Sequence, residues 1–342
     1  MANNAGTAQE IRPMSNKHGG QLLAAAKKYQ IPLADWLDLS TGINPNPWPV
    51  PAIPEACWQR LPDDNDDLLQ AAQHYYQCQS LLPLPGSQAA IQILPQLRPH
   101  CRVLIRSNSY SEHAKNWAAA GHAVTEADPM QFSSQINQHE VVVVINPDNP
   151  SGDLIATETL LAWRELLHAR GGWLIVDEAF VDVQPEASLS RHAPLAGLII
   201  LRSLGKFFGL AGIRAGFIIA PQDILASINE YLGPWPLSHP SRWLSSRALR
   251  DSAWQSQTLL TLAVKAQRLK TIISNISERH LCGTSLFQTL RVTKAEKVHT
   301  FLAQQGILTR LLDDHSGIRF GLAGSELAEQ RLRTAISHIH RI

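Results

Sequence analysis

Five short strand-like runs alternate with helical patterns between Cys101 and Ala220, and this alternation is the strongest constraint on the fold. Each run is brief, rich in β-branched residues and bounded by turn residues, which is typical of a buried strand. Strands that alternate with helices predict a mostly parallel sheet covered on both faces. A further run, Phe217–Ala220, is predicted to be the edge strand. The five runs are Val103–Ile105, Ala123–Thr125, Val141–Ile145, Trp173–Val176 and Leu198–Leu201.

Beyond Leu237 the pattern changes to long helices, followed by a small α+β unit of two strands and two helices. Before the alternation, Asp38–Pro54 is too rich in proline for a regular helix. The sequence therefore predicts an α/β fold in three parts: residues 1–48 as an N-terminal arm and strap that joins the small domain, 49–237 as a large domain, and 238–342 as long helices and a small C-terminal domain. The long helices are predicted over Ser241–Trp254 and Ser256–Ser277.

The composition excludes several classes of function. Thirty basic and 29 acidic residues give a formal net charge of +1, so neither nucleic acid nor a membrane surface is expected as a partner. Four cysteines lack the spacing of a metal or disulfide framework, which indicates a reducing compartment and no metal site. No secretory signal and no apolar run long enough to span a membrane is visible, so the expected location is the cytoplasm.

The stretch Leu201–Ala220, LRSLGKFFGLAGIRAGFIIA, places three polar side chains on one glycine-rich turn. Lys206 is flanked by glycine and phenylalanine, and desolvation lowers the pKa of an ammonium group. The resulting neutral amine is the form that Schiff-base chemistry requires. Ser203 adds a hydroxyl, and Arg214 adds a guanidinium that suits a phosphate. Together these groups indicate a site for pyridoxal phosphate (PLP); the alternative is a surface lysine in a flexible loop.

Three further segments fall where ligands of such sheets bind, beyond the carboxyl ends of the strands. Asp177 follows one predicted strand and suits pairing with a protonated pyridine nitrogen, which keeps the ring an electron sink. Asn149 follows another within NPDNPSG and is a candidate donor to the phenolic oxygen of the ring. Gly86 precedes a helix capped by Ser87, and the free amides of a helix start bind anions. The alternatives are a helix cap or turn at Asp177 and a proline-rich turn at NPDNPSG.

The order and spacing of NPDNPSG, VDEAF and SLGKFFGLAGIRAGF resemble those of the fold-type I PLP enzymes, above all the histidinol-phosphate aminotransferase group. The resemblance covers about residues 15–325. It implies the fold-type I PLP-dependent transferase fold, with a mostly parallel central sheet in a large PLP-binding domain, a small α+β domain, and a homodimer. Lys206 would carry the cofactor as a Schiff base, and Tyr110 would stack on its ring. The implied cofactor-binding residues are Gly86, Ser87, Gln88, Tyr110, Asn149, Asp177, Ser203, Lys206 and Arg214.

Within that group, His18-Gly19-Gly20 and the segment DLSTGINPNPWP resemble the L-threonine-O-3-phosphate decarboxylases of cobalamin biosynthesis. This resemblance implies a carboxy-lyase that converts L-threonine O-3-phosphate to (R)-1-amino-2-propanol O-2-phosphate. The implied substrate-binding residues are His18, Gly19, Gly20, Asn44 and Arg319, with Arg319 on the α-carboxylate. Two simpler interpretations remain open, a flexible glycine turn for the first motif and a packed strap for the second.

Two other functions compete with this interpretation. One is an aminotransferase for histidinol phosphate or a similar amino acid, which needs an oxo-acid acceptor. The other is a non-catalytic PLP-binding regulator, which is disfavoured because the chain has neither an added N-terminal domain nor a basic charge.

The chain departs from the family pattern at two positions. Phe180 stands where aminotransferases usually have a tyrosine, and a phenylalanine cannot donate a hydrogen bond to the phenolic oxygen. Leu61 stands where relatives have a tyrosine that reaches the partner subunit's cofactor phosphate. The resemblance therefore implies a cofactor site with fewer side-chain donors than is usual.

Overall fold

The computed structural model of the chain describes residues 19–276 and 281–339. The predicted substrate residue His18 lies outside the described residues. The strands, in chain order, are β1 (Leu37–Asp38), β2 (Leu81–Leu84), β3 (Arg102–Arg106), β4 (Ala123–Ala127), β5 (Val141–Ile145), β6 (Trp173–Asp177), β7 (Leu198–Ser203), β8 (Gly216–Ile219), β9 (Leu281–Thr284), β10 (Phe287–Arg291), β11 (Ile307–Leu308), β12 (Arg310–Leu311) and β13 (Gly317–Gly321).

The α-helices separate these strands in the alternating order that the sequence predicts. They are α1 (Leu22–Tyr29), α2 (Ala56–Gln59), α3 (Leu68–Tyr76), α4 (Ser87–Ile93), α5 (Glu112–Ala119), α6 (Pro129–Gln135), α7 (Thr157–His168), α8 (Gln222–Leu232), α9 (His239–Arg250), α10 (Ser252–Ser274), α11 (Ala295–Gln304) and α12 (Glu326–Ser337). Across the described ranges, no helix has both the length and the apolar character needed to cross a membrane.

A seven-stranded sheet forms the centre of the fold, in the order β2-β8-β7-β6-β5-β3-β4. The pairings from β4 through β7 are all parallel, which confirms the predicted mostly parallel sheet. The expectation that β8 forms the edge is wrong, because β2 pairs with it in antiparallel fashion. The sequence does not predict β2 because the strand contains Pro83. Proline is tolerated here because β2 is an edge strand, where one side of the backbone makes no ladder.

Alternate side chains of the central strands enter two hydrophobic cores, one on each face of the sheet. In β5, Val142 and Val144 belong to one core, whereas Val141 and Val143 belong to the other. Successive residues of a strand point to opposite faces, so an uninterrupted valine run fits a strand that is covered on both sides. All five residues of β5 are buried.

The two long helices meet at a different residue from the one predicted. The sequence pattern places the break near Gln255, but α9 ends at Arg250 and α10 begins at Ser252. The cause is Asp251, whose carboxylate accepts a hydrogen bond from the amide of Trp254 at 3.0 Å and so caps the second helix. The domain bounds predicted from the sequence stay a prediction.

A second, antiparallel sheet of order β12-β13-β10-β9 belongs to the C-terminal part of the chain. The proline-rich segment connects this sheet with the lysine-bearing turn of the central sheet. At one end, the amide of Gly321 donates to the carbonyl of Leu39 at 2.7 Å. At the other, the amide of Trp48 donates to the carbonyl of Phe208 at 2.9 Å. The segment is therefore a strap packed between both sheets, one of the two interpretations left open by the sequence.

The two sheets also approach each other directly, at a pair of glycines. Gly152 has a φ of +75°, and a Cβ atom added there would lie 2.4 Å from the carbonyl carbon of Gly283. Close by, Thr289 Oγ1 donates to the carbonyl of Pro150 at 2.6 Å. The loop that carries Asn149 thus rests against the small sheet, with no room for a side chain at the contact.

We predict that Gly152→Ala destabilises the protein by about 3 kcal/mol or more, because left-handed strain adds to a backbone collision. Gly171→Ala is the matched control, since Gly171 has a similar φ of +69° and no atom within 4 Å of an added Cβ. Its loss should be about 1 kcal/mol, from strain alone. Urea unfolding measures both values, and equal losses would show that the approach of the two glycines carries no energy.

Candidate active site

A cavity of about 190 Å³ lies beyond the carboxyl ends of the central parallel strands, where the central and small sheets meet. Its position agrees with the general rule for ligand sites on parallel sheets. The residues lining it that the sequence predicts as functional are Gly19, Tyr110, Asn149, Lys206 and Arg319. Those not predicted include Asn108, Ser109, Arg310, Asp313 and Asp314.

Lys206 projects from the turn that follows β7, and the strap holds this turn in place. Its carbonyl accepts hydrogen bonds from the amides of Asn44 and Gly209, at 3.0 and 3.1 Å. Its amine lies 5.3 Å from the centre of the Phe180 ring. Burial, and then the positive charge of Arg319, lower the pKa of Lys206 to about 8. This direction matches the sequence-based expectation of a desolvated amine.

Asp177 is the last residue of β6 and is buried beside a histidine that the sequence analysis missed. Its Oδ2 lies 3.0 Å from Nε2 of His113, and its Oδ1 accepts from the amide of Ala179 at 3.1 Å. Tyr110 meets the His113 ring edge to face, with 6.3 Å between the ring centres. His113 lies in the first turn of α5, and no pattern in the sequence indicated that this histidine would meet Asp177, 64 residues later.

The predicted phosphate-binding residues meet at the start of α4. Gly86 has a φ of +78°, and an added Cβ would lie 2.8 Å from Nη2 of Arg214, so this backbone fits closely against the guanidinium. The amide nitrogen of Ser87 would lie 2.7 Å from a Cβ at Gly216, which pairs with Ser203 in the sheet. The helix start therefore lies against the guanidinium of Arg214 and beside the strand pair that carries Ser203.

Gln88 lies in the same first turn of α4 and links it to the loop of Tyr110. The hydroxyl of Tyr110 donates to Oε1 of Gln88 at 3.4 Å, and Nε2 of Gln88 donates to Glu112 at 3.4 Å. Burial, and then the negative charges of Asp177 and Glu112, raise the pKa of Tyr110 to about 12. Its hydroxyl therefore stays protonated at neutral pH and can donate a hydrogen bond.

Arg319 is buried at the floor of the cavity, on β13, and only part of its guanidinium is engaged. Nη1 donates to Oδ1 of Asn149 at 2.5 Å, and Nη2 donates to the carbonyl of Ser40 at 2.8 Å. Its Nε is buried without a hydrogen-bond partner among the described residues. Burial, and then the charge of Arg310, lower the pKa of Arg319 to about 10. A buried guanidinium in this condition favours an incoming anion.

Arg310 is a second cation of the cavity that the sequence analysis missed. It lies on β12 directly opposite Arg319 on β13, in an antiparallel pair. The strand β12 is only two residues long and has no pattern of its own, so nothing in the sequence indicated that these two arginines would be neighbours.

The N-terminal arm reaches the cavity through Gly19, and the backbone fixes it there. A Cβ on Gly19 would lie 2.3 Å from the carbonyl oxygen of Ser40, and the amide of Gly20 donates to Oγ of Ser40 at 2.8 Å. Asn44 is placed differently from the expectation, because its Nδ2 donates to the carbonyl of Phe207 at 3.0 Å. It does not line the cavity, and its side chain ties the strap to the lysine turn.

A buried charged cluster supports the segment that follows Asp177. Arg202 donates to Oε2 of Glu178 at 2.9 Å and to Oδ1 of Asp182 at 2.5 Å. Ser188 also donates to Glu178, at 2.5 Å. Removing one partner of such a buried pair is costly, since it leaves an uncompensated charge. The cluster therefore fixes the backbone on which the carboxylate of Asp177 and the ring of Phe180 are carried.

Comparisons with known proteins agree with this geometry. The family model described as aminotransferase class I and II matches residues 59–339. The threonine-phosphate decarboxylase of Pseudomonas aeruginosa is 45% identical over 320 residues, which cover 94% of this chain and 97% of that protein. The threonine-phosphate decarboxylase of a Sinorhizobium species is 41% identical and covers 94% and 98%.

Solved structures show the same fold at low identity. The histidinol-phosphate aminotransferase of Sinorhizobium meliloti, in complex with pyridoxal 5'-phosphate, has a TM-score of 0.80 at 18% identity and covers 98% of this chain and 99% of that one. The L-threonine-O-3-phosphate decarboxylase of Porphyromonas gingivalis has a TM-score of 0.75 at 16% identity and covers 89% and 99%. The chain belongs to the class I and II aminotransferase family.

Proposed function

We propose that this chain is a PLP-dependent decarboxylase that releases CO₂ from L-threonine O-3-phosphate and leaves (R)-1-amino-2-propanol O-2-phosphate. The observation that carries the proposal is the pair Arg310 and Arg319, which face one cavity together with the amine of Lys206. Two guanidinium groups suit a substrate that carries a carboxylate and a phosphate. The similarity to threonine-phosphate decarboxylases over nearly the whole chain supports the same assignment.

The residues present fit PLP. The amine that would bind it is desolvated, which favours the neutral nucleophile. Ser203, Arg214 and the turn Gly86-Ser87-Gln88 would hold its phosphate, and the close approach of Gly86 to Arg214 brings backbone and guanidinium donors to the same place. Asp177 would pair with the pyridine nitrogen, Tyr110 would stack on the ring, and Asn149 would contact the phenolic oxygen.

When bound, PLP accepts the electron pair left by the bond that breaks at the substrate Cα. The protein decides which bond that is, because the bond standing perpendicular to the ring plane breaks most readily. Arg319 would hold the substrate carboxylate through the donors that Asn149 and Ser40 leave available. A carboxylate held by this buried guanidinium is partly desolvated, which favours the loss of CO₂.

The chain must also return a proton to Cα after the carboxylate leaves. Nζ of Lys206 is the group placed to do this, since an amine with a pKa near 8 both takes up and gives up protons close to neutral pH. His113 fixes the carboxylate of Asp177, since its Nε2 lies 3.0 Å from Oδ2. The ring of Phe180 presents an apolar surface to the amine and adds no hydrogen-bond donor.

Arg310 and the glycine arm would bind the phosphate of the substrate. Arg310 and Gly19 both line the cavity, so a guanidinium and the backbone of the arm are both available to it. His18, which precedes this arm outside the described residues, stays a predicted contact of the same phosphate. Because the phosphate of the cofactor already has its own anchors, the two anions need not compete for one site.

The test is product analysis with threonine phosphate and PLP, with and without 2-oxoglutarate. We expect CO₂ and an amino alcohol phosphate in equal amounts, at a rate that does not depend on the oxo acid. Lys206→Ala should abolish turnover and keep the fold. Turnover that occurs only with 2-oxoglutarate, and that retains the carboxylate, would instead identify an aminotransferase and contradict the proposal.

We also propose that the protein is a homodimer. Three large apolar side chains, Trp58, Leu61 and Trp235, are 65%, 65% and 56% exposed and lie around one groove that also includes Gly212 and Ile213. An apolar patch of this kind marks an interaction surface. Because the groove adjoins the exposed Arg214, a second copy seated there would cover the phosphate end of the cofactor site. A symmetric pair buries the patch on both copies at once.

Sedimentation of the wild type should give a dimer, and Trp58→Glu with Leu61→Glu should shift it toward monomer and reduce retention of PLP. The control is the double variant Met130→Glu with Leu327→Glu, which places two charges on exposed apolar residues outside the groove and should leave the dimer intact. A fully active wild-type monomer at assay concentration would contradict the proposal.

We also propose the cytoplasm as the compartment of the protein. The four cysteines are free, as is usual for proteins of a reducing compartment; they are Cys57, Cys78, Cys101 and Cys282.

A further inference from the structure

The two arginines of the cavity lie opposite each other on neighbouring strands, and the repulsion between their charges lowers the stability of the fold. Arg310 and Arg319 are direct partners in the antiparallel pair of β12 and β13, and like charges at such positions are destabilising. The hydrogen bonds of Arg319 go to neutral oxygens, those of Asn149 and Ser40. The strand pair therefore concentrates positive charge that these contacts do not neutralise.

Asp313 supplies a negative charge at this place. Its Oδ1 accepts a hydrogen bond from Nη2 of Arg310 at 2.8 Å, and both side chains line the cavity. The carboxylate side chain is 41% exposed and that of Arg310 is 21% exposed. A half-exposed carboxylate on a turn is held weakly, because such an ion pair contributes little net free energy.

We propose that Asp313 is a resident counter-ion of Arg310 that the phosphate of the substrate displaces, so that it sets how tightly a phosphorylated substrate binds; this rests on the proposed function. A phosphate carries close to two negative charges and three strong acceptor oxygens, so it outcompetes a single carboxylate for a guanidinium. While Asp313 stays near, it repels the same phosphate. The residue therefore lowers affinity for the phosphorylated substrate and stabilises the two opposed arginines when no substrate is bound.

Asp314 is a matched neighbour with different contacts. It lines the same cavity, yet its Oδ1 accepts from the amide and the hydroxyl of Ser316, at 3.0 and 2.6 Å. Among the described residues, the cation within 4 Å of its carboxylate is Arg291, at 3.8 Å, and not Arg310. Neutralising each aspartate in turn therefore separates a specific release of Arg310 from a general change in the charge of the cavity.

The experiment compares the wild-type holoenzyme with Asp313→Asn and Asp314→Asn. Steady-state kinetics gives KM and kcat for threonine phosphate and for unphosphorylated threonine, and calorimetry gives the Kd of inorganic phosphate. We expect Asp313→Asn to lower the KM for threonine phosphate and the Kd of phosphate about two- to fivefold, which is the scale of one half-exposed ion pair. The kcat and the values for threonine should hardly change, and Asp314→Asn should resemble the wild type.

A second comparison isolates the partner. In an Arg310→Ala background, Asp313→Asn should have no further effect on the Kd of phosphate. The proposal is overturned if Asp313→Asn raises the Kd of phosphate, because Asp313 would then position Arg310. It is also overturned if both asparagine variants change the Kd of phosphate equally, or if the effect of Asp313→Asn persists without Arg310. If no variant releases CO₂, the proposed function fails, whereas phosphate calorimetry still decides the role of Asp313.

Discussion

The desolvation of the amine of Lys206 is the condition on which the rest of the site depends. A lysine in water is charged at neutral pH and is a poor nucleophile. Here the strap fixes the turn through the amide of Asn44, and the ring of Phe180 faces the amine. Burial and the nearby charge of Arg319 then hold its pKa near 8. The strap, the sheet and the small domain each contribute one part of this environment.

Burial also explains why the arginine side chains of the cavity favour the binding of anions. Arg319 is buried with one donor unsatisfied among the described residues, and its pKa is lowered to about 10. Such a group is stabilised when a carboxylate arrives, so binding of the substrate relieves a cost that the folded protein already carries. Arg310 adds a second cation nearer the surface, with Asp313 as its partner. One buried and one partly exposed guanidinium match an amino acid whose carboxylate binds deep in the cavity and whose phosphate binds nearer the opening.

The sequence predicted those parts of the structure that local chemistry determines. The valine run of β5 indicated a strand covered on both faces, and the glycine-flanked Lys206 indicated a desolvated amine. Asp177 at a strand end was placed correctly, because the carboxyl ends of parallel strands meet at one edge. These features follow from periodicity and turn chemistry, which are properties of a short segment.

The features that the sequence did not reveal depend on contacts between distant segments. The pairing of Arg310 with Arg319 requires the register of two short strands, and a two-residue strand carries no pattern. Asn44 lies in a motif that the family resemblance associates with substrate, but the fold uses its amide to hold the lysine turn. The strand β2 was not predicted because it contains Pro83, and proline is compatible with a strand only at the edge of a sheet, which the sequence does not reveal.

The central claim is that the folded cavity lowers the pKa of Lys206 to about 8, so that the neutral amine is far more abundant near physiological pH than for a lysine in water. The most direct test is the rate at which PLP is incorporated into the protein freed of cofactor, measured by absorbance from pH 6 to 11. Only the neutral amine reacts, so the rate should rise with pH and level off above an inflection near 8. The inflection should move upward in Arg319→Gln, because one charge that lowers the pKa is gone. An inflection near 10.5, the ordinary value for a lysine, would show that the cavity does not desolvate the amine and would contradict the account.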